Sequence, residues 1–437
     1  MLNRFILNKQ DFVYKYFFLL FSLIPISLLA GSAVSAINVL LISLSFLIYS
    51  FYKKEWGWLK NTNIKLMLVL CLYFIFNSFI SIDYNIGISR NFGFIRFILF
   101  FAAFNYFFYN YTKFNKIFIV WSIIIFFVSF DIYFESISGK NILGYGGDHN
   151  RVESFFKDEQ KVGGYIFCFY LLIIGFLINF YNSKLKKNNY IILALSILLL
   201  VSIIITGERS NAIKAIIAFL LFFLLSNNFS IKEKFLLIIS SGFIFSLIYL
   251  NSEFVKLRYG KQLFLRIQTI SNYIKYIKDP NFNKDAISND IFSRSIGYKY
   301  FQLYSSGYEV FKKHPFFGVG NKNYRIITCP EKTEDYNPNY ICTSHPHQIY
   351  FEFLSEHGLI GTIILLAIFF KLIFKILRKI SIRDNFIQLG SIIYLILFFI
   401  PILPSGSFFN DYYLTLFWIN LSLLYASNKD TNIFNKK

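Results

Sequence analysis

Apolar residues in this chain run in long blocks rather than alternating or recurring on one helical face. Twelve such blocks are readable, at about 16–32, 34–52, 64–82, 91–109, 117–136, 163–181, 189–206, 211–226, 235–250, 358–376, 386–404 and 409–426. Each is close to the roughly 20 residues that carry an α-helix across a bilayer. The pattern predicts an all-α polytopic membrane protein of about twelve transmembrane helices. Two polar stretches interrupt the series, 137–162 and the much longer 251–357. Within the longer one, 260–278 and 295–313 have helical rather than alternating patterning and are expected to lie over the membrane. The chain thus divides into nine spans over 1–250, a large loop over 251–357, and three spans with a polar tail over 358–437. The Gly31-Ser32-Ala33 link is where the first two spans could merge or shift.

Composition agrees with this reading. The 437 residues are 56% hydrophobic, 21% aromatic and 16% charged, against about 25% charged in water-soluble domains. The net charge of +20 would suit nucleic acid, but its placement argues otherwise. Lys53, Lys54, Lys60 and Lys65, then Lys113 and Lys116, then Lys184, Lys186 and Lys187, and later Lys232 and Lys234 fall in every second inter-span segment. Lys375, Arg378, Lys379 and Arg383 continue the alternation, and the tail adds Lys429, Lys436 and Lys437. Basic short loops face the cytoplasm, so both termini are expected inside and both long loops outside. The first span, led by Arg4, Lys9 and Lys15, reads as a retained helix rather than a cleaved signal.

Arginines break the rule that lysines obey. Of the arginines, only Arg4, Arg378 and Arg383 lie in the cytoplasmic segments; the others lie outside or in spans. A guanidinium grips phosphate oxygens with two parallel hydrogen bonds, which an ammonium cannot imitate. An external anion, such as a lipid-borne phosphate or diphosphate, would account for them. Arg209 stands out, in the tight turn Thr206-Gly207-Glu208-Arg209-Ser210 between two spans, where an ionisable residue is costly and usually functional. Pairing with Glu208 is its structural alternative. Arg151, Arg266 and Arg294 are further anion-binding candidates, and Arg96 could instead pair with Asp83 or Asp131.

All five histidines fall outside the expected spans, and three of them, His345, His347 and His357, occupy one segment running into the span at 358. Imidazole moves protons near neutral pH. A metal could bridge His345 and His347, but no HExxH or carboxylate cluster supports it, and no phosphate-binding or dinucleotide loop is present. Cys71 and Cys168 read as inert core thiols. Cys329 and Cys342, on the expected oxidising face, are either a disulfide or two loop thiols.

These residues resemble a known family. His347-Gln348, nine residues, then Gly358-Leu359-Ile360-Gly361 is similar to the signature of the O-antigen ligases and polymerases. Thr206 to Ser210, His314-Pro315-Phe316-Phe317-Gly318-Val319-Gly320, Arg151 to Gly163 and Pro404 to Asn410 also look like segments of its members. The resemblance covers most of 140–410. It implies a GT-C-like glycosyltransferase of the bacterial inner membrane, with its site at the periplasmic face and no metal or nucleotide cofactor. The donor would be an undecaprenyl-diphosphate-linked glycan, and the acceptor a sugar hydroxyl of a lipid A-core or a growing glycan. His347 would be the base, with His345 or Glu356 behind it, and Arg209 would neutralise the leaving diphosphate. Gly358 and Gly361 would let the following span pack closely. A flippase for the same lipid-linked glycan is the reading from another class.

Overall fold

The computed structural model describes residues 2–146, 151–157, 159–181, 186–252, 255–261, 296–329, 337, 339–377, 385–401 and 403–435. Among them the chain is helical, without a strand. The helices are α1 Leu2–Ser22, α2 Ile24–Leu29, α3 Ser32–Lys53, α4 Thr62–Phe79, α5 Tyr84–Gly93, α6 Ile95–Asn110, α7 Ile117–Ser138 and α8 Val162–Tyr181. They continue with α9 Lys186–Ile205, α10 Arg209–Leu225, α11 Ile231–Asn251, α12 Ile296–Lys313, α13 Tyr324–Thr328, α14 Ile349–Leu377, α15 Phe386–Phe398 and α16 Asp411–Ala426. Stretch 262–278, expected to be helical, lies outside the described residues, whereas 295–313 is met by α12.

Among the described residues, eight helical stretches are long and apolar enough to cross a membrane. Gly31, at φ 123°, parts α2 from α3, so the first two expected spans stay separate. The expected spans at 189–206, 211–226, 386–404 and 409–426 are helices too, but those of α10, α15 and α16 have only 17, 13 and 16 residues. The shortening of α15 has a local cause. Pro401 and Pro404 follow α15 and cannot continue a helix, so residues 399–401 and 403–410 run as irregular backbone. Irregular backbone at membrane depth is tolerated where it lines a cavity, and this segment does so.

The bundle is held by close approach of helices where side chains are small. A Cβ on Gly175 of α8 would lie 2.5 Å from the Phe386 carbonyl oxygen, and one on Gly390 of α15 would lie 2.8 Å from that of Leu171. These two glycines let α8 and α15 touch backbone to backbone, as small residues do in membrane bundles. Around that seam the core is aromatic: Trp418 of α16 stacks on Phe97 of α6, and Tyr425 meets Phe101 edge-on. Arg96 enters this region and pairs with Asp411 at the start of α16, at 2.5 Å. That contact corrects the expected alternatives. Asp83 caps α5 through Asn85 N–H, and Asp131 accepts from Ser154 and Ile142.

Candidate active site

The span expected to begin at 358 begins nine residues earlier, at Ile349, because Gln348 caps it. The Gln348 side-chain oxygen accepts from the backbone N–H groups of Tyr350 and Phe351, at 2.7 and 3.1 Å. This satisfies amides that a helix start leaves unpaired and gives the glutamine after His347 a structural duty. His347 just ahead has φ 56°, and its carbonyl accepts from Ser405 N–H at 2.9 Å.

At Gly358, α14 kinks: φ is 63° and ψ is −169°. The amides of Leu359 and Ile360 turn away from the helix and donate to the carbonyls of Pro315 and Phe316, at 2.8 and 3.1 Å. Val319 and Gly320 return the favour, donating to Ser355 and Glu356 carbonyls at 2.9 Å each. The segment His314 to Gly320 and the segment Ser355 to Gly361 are therefore two halves of one backbone junction. A Cβ on Gly358 would stand 2.3 Å from the Phe316 carbonyl carbon, and one on Gly318 would stand 2.4 Å from Glu356. Gly358→Ala is expected to cost at least about 1–3 kcal/mol from backbone strain alone, read as a fall in the thermal unfolding midpoint of the purified protein. An unchanged midpoint would show that the junction tolerates a side chain. Gly361 also has no room, since a Cβ there would run into the Tyr73 hydroxyl of α4.

The same architecture sorts the three clustered histidines. His357 lies within α14 rather than in a loop, fully buried among Phe74, Phe353 and Phe409 and against Tyr73. His345 and His347, with ring centroids 4.1 Å apart, face a common cavity instead. Cys329 and Cys342 form a disulfide. It ties the short helix α13, which carries Arg325, to the segment leading into Thr343, Ser344 and His345.

On the opposite wall, Gly207 at φ 73° turns the chain between α9 and α10. The buried Glu208 carboxylate accepts from Gly163 N–H at 2.7 Å, Gly164 N–H at 3.2 Å and the Asn211 amide at 2.6 Å. This fixes the turn on the start of α8 and directs Arg209 into the cavity. Burial raises the Glu208 carboxyl above the usual range, opposed by these hydrogen bonds and the nearby Arg151. Val152 N–H donates to the Thr206 carbonyl at 3.3 Å, so the loop bearing Arg151 lies along the turn bearing Arg209.

Between these walls is a cavity of about 870 Å³. Arg209, Arg151, His345 and His347 all line it, so the site brings together four residues singled out from the sequence. Arg90, Lys161, Lys322 and Arg325 add positive charge, and Glu208 is the carboxylate among the described lining residues. Such a cationic concavity focuses field on an anion. Arg266 and Arg294 lie outside the described residues. Glu356 is fully buried behind the lining, at the backbone junction rather than in the cavity.

Lys322, Arg325, Tyr300 and Tyr413 line the cavity and were not among the expected site residues. Arg325 is one of the arginines expected outside, so a signal for it existed. Lys322 stands two residues after Gly320, but its role depends on a distant partner. Its ammonium donates to Ser407 Oγ at 2.5 Å, and Ser407 donates to the buried Glu352 carboxylate at 2.6 Å. Phe408 N–H completes the clamp on Glu352 at 2.8 Å. The clamp holds the 403–410 segment against the first turn of α14.

Burial lowers the imidazoles of both His345 and His347 to about 4; Lys322 adds to the effect at His345, and His345 itself at His347. Both are neutral near pH 7 and can accept a proton. Because the unfolded chain would hold these protons up to about 6.5, it binds more of them than the folded protein between those values. Stability is therefore full above about pH 6.5 and falls as pH drops toward 4. The thermal midpoint is expected to decline over that window, and a His345→Gln, His347→Gln double variant should flatten the decline. An equal slope in both proteins would contradict the assignment.

No protein of established function matches the chain. Residues 194–366 match the family model described as O-Antigen ligase. The matched stretch runs from α9 to the middle of α14. It holds Arg209, the 314–320 segment, the disulfide, both cavity histidines and the two motif glycines, while Arg151 and the 401–410 segment lie beyond it. Over this segment the chain is similar to the O-antigen ligase family.

Proposed function

We propose that the protein transfers a glycan from an undecaprenyl-diphosphate carrier to a sugar hydroxyl of a lipid A-core or similar acceptor, at the periplasmic face of the bacterial inner membrane. The observation that carries this reading is the convergence of Arg209 and His347 on one cationic cavity. The cavity's cations match the dianionic leaving group, and His347 supplies a neutral imidazole beside them. The alternation of basic loops supports cytoplasmic termini and a periplasmic cavity.

The chemistry follows from those two residues. The acceptor oxygen attacks the anomeric carbon while the bond from that carbon to the phosphate oxygen breaks. The hydroxyl proton passes to the His347 imidazole, and the electron pair of the breaking bond leaves on the diphosphate. Arg209 meets the charge that develops on the leaving oxygen, with Arg151 and its neighbours sharing it. Fixed donors of this kind stabilise a transition state without reorganising. Tyr300, whose ring lies edge-on to His347 at 6.3 Å, offers an aromatic face for a sugar ring. The donor's own diphosphate supplies the driving force, so no nucleotide enters the step.

The test is a transfer assay in proteoliposomes with an undecaprenyl-diphosphate-linked glycan and no nucleotide. The expected products are free undecaprenyl diphosphate and a new glycosidic bond. Transfer to a lipid A-core supports the ligase reading; elongation on the lipid carrier alone would replace it with the polymerase reading. Movement of intact donor across the bilayer with no new bond would overturn both.

A further inference from the structure

A recess of about 70 Å³ opens from the main cavity between α8, α10, α15 and α16, sharing Asn211, Ser405 and Tyr413 with it. Lys214 is the charged residue of its lining among the described residues. Lys214 stands four residues beyond Ser210 on α10, about 6 Å deeper along the helix axis, and is only 7% exposed. No hydrogen bond or ion pair to its ammonium occurs among the described residues. The carboxylate in the nearest turn, Glu208, is already engaged by Gly163, Gly164 and Asn211. A cation this deep in an apolar bundle is costly unless an anion meets it.

The recess is kept open by its own backbone. A Cβ on Gly406 would lie 2.1 Å from the Tyr413 ring, and one on Gly164 would press on the Asn211 amide at 3.1 Å. Asn211, Ser405, Tyr394 and Tyr413 are the other polar residues of its lining. The volume is that of about two water molecules. It admits the oxygens of one phosphate or carboxylate group, and excludes a sugar ring.

We propose that the Lys214 recess is an oxyanion subsite of the transfer reaction, taking one anionic group of the substrate. That group is either a phosphate oxygen of the lipid carrier or the carboxylate of an acidic sugar. The proposal rests on the reading of the main cavity as the site of lipid-linked glycan transfer. A substrate lacking the group would leave Lys214 buried and unpaired, so the recess discriminates against it.

Calorimetric titration of the full-length protein in nanodiscs with inorganic diphosphate and, separately, glucuronate tests this on wild type, Lys214→Met, Lys214→Arg and Arg209→Ala. Lys214→Met is expected to weaken binding of one anion by at least about tenfold, while Lys214→Arg, which keeps the charge, stays near wild type. Loss in the diphosphate arm assigns the recess to the carrier, and loss in the glucuronate arm assigns it to an acidic sugar. Wild-type affinity for both anions in Lys214→Met would overturn the proposal, as would a wild-type protein that binds neither. If Lys214→Met loses diphosphate binding and Arg209→Ala does not, the subsite stands and the role given to Arg209 falls. The converse result leaves Arg209 in place, and the subsite then stands if Lys214→Met loses glucuronate binding and falls if it does not.

Discussion

Replacing His347 with asparagine is expected to lower the rate of glycan transfer by about 10²–10⁴-fold, the usual contribution of a positioned general base. Asparagine is the informative choice because His347 sits at φ 56°, a region that asparagine tolerates better than alanine. The Ser405 N–H bond to the residue's carbonyl does not depend on the side chain. The variant should therefore fold and keep its donor affinity, and the loss should appear in kcat rather than KM. A variant with unchanged kcat would remove the base from His347. His345, whose ring nitrogen meets the Ser344 hydroxyl at 3.0 Å, would then be the neighbouring imidazole to examine.

Arg209→Lys keeps the charge and removes the planar fork. It is expected to cost about 10²–10³-fold in transfer, in line with the loss of one donor to a developing oxyanion. An ammonium on a flexible stem cannot hold two phosphate oxygens at once. The turn that carries the residue should survive, because Glu208, Gly163, Gly164 and Asn211 fix it without the guanidinium. Measured as kcat in the same proteoliposome assay, a loss under threefold would mean that charge alone matters, or that Arg151, Lys322 and Arg325 carry the diphosphate.

Much of this arrangement was readable from the chain. Apolar blocks of membrane-spanning length located the helices, because satisfying every backbone amide in lipid forces that solution. Arginines on the wrong side of a lysine pattern pointed to an external anion, and both Arg209 and Arg151 reach the cavity. What escaped depends on contacts between distant parts of the chain. Nothing near Arg96 announces Asp411 as its partner, and Lys322 acquires its place only through Ser407 and Glu352. Helix lengths near the cavity were overestimated at 386–404, since an apolar run continues through Pro401 and Pro404 where the backbone does not stay helical. His357, one residue ahead of the expected span at 358, lies within α14, because Gly358 is a kink inside that helix and not its start. The family motif likewise resolves into parts with distinct duties. His347 faces the cavity, Gln348 caps the helix, and Gly358 and Gly361 make room for Phe316 and Tyr73.

The central claim is that one cavity holds the diphosphate at Arg209 and the reacting sugar at His347. Cryo-electron microscopy of the protein in nanodiscs with a bound undecaprenyl-diphosphate-linked glycan measures it directly. The account predicts phosphate oxygens within hydrogen-bond reach, about 3 Å, of the Arg209 guanidinium, with the anomeric carbon turned toward the His347 imidazole. A diphosphate seated away from Arg209, or a glycan whose anomeric carbon points away from His347, would contradict it.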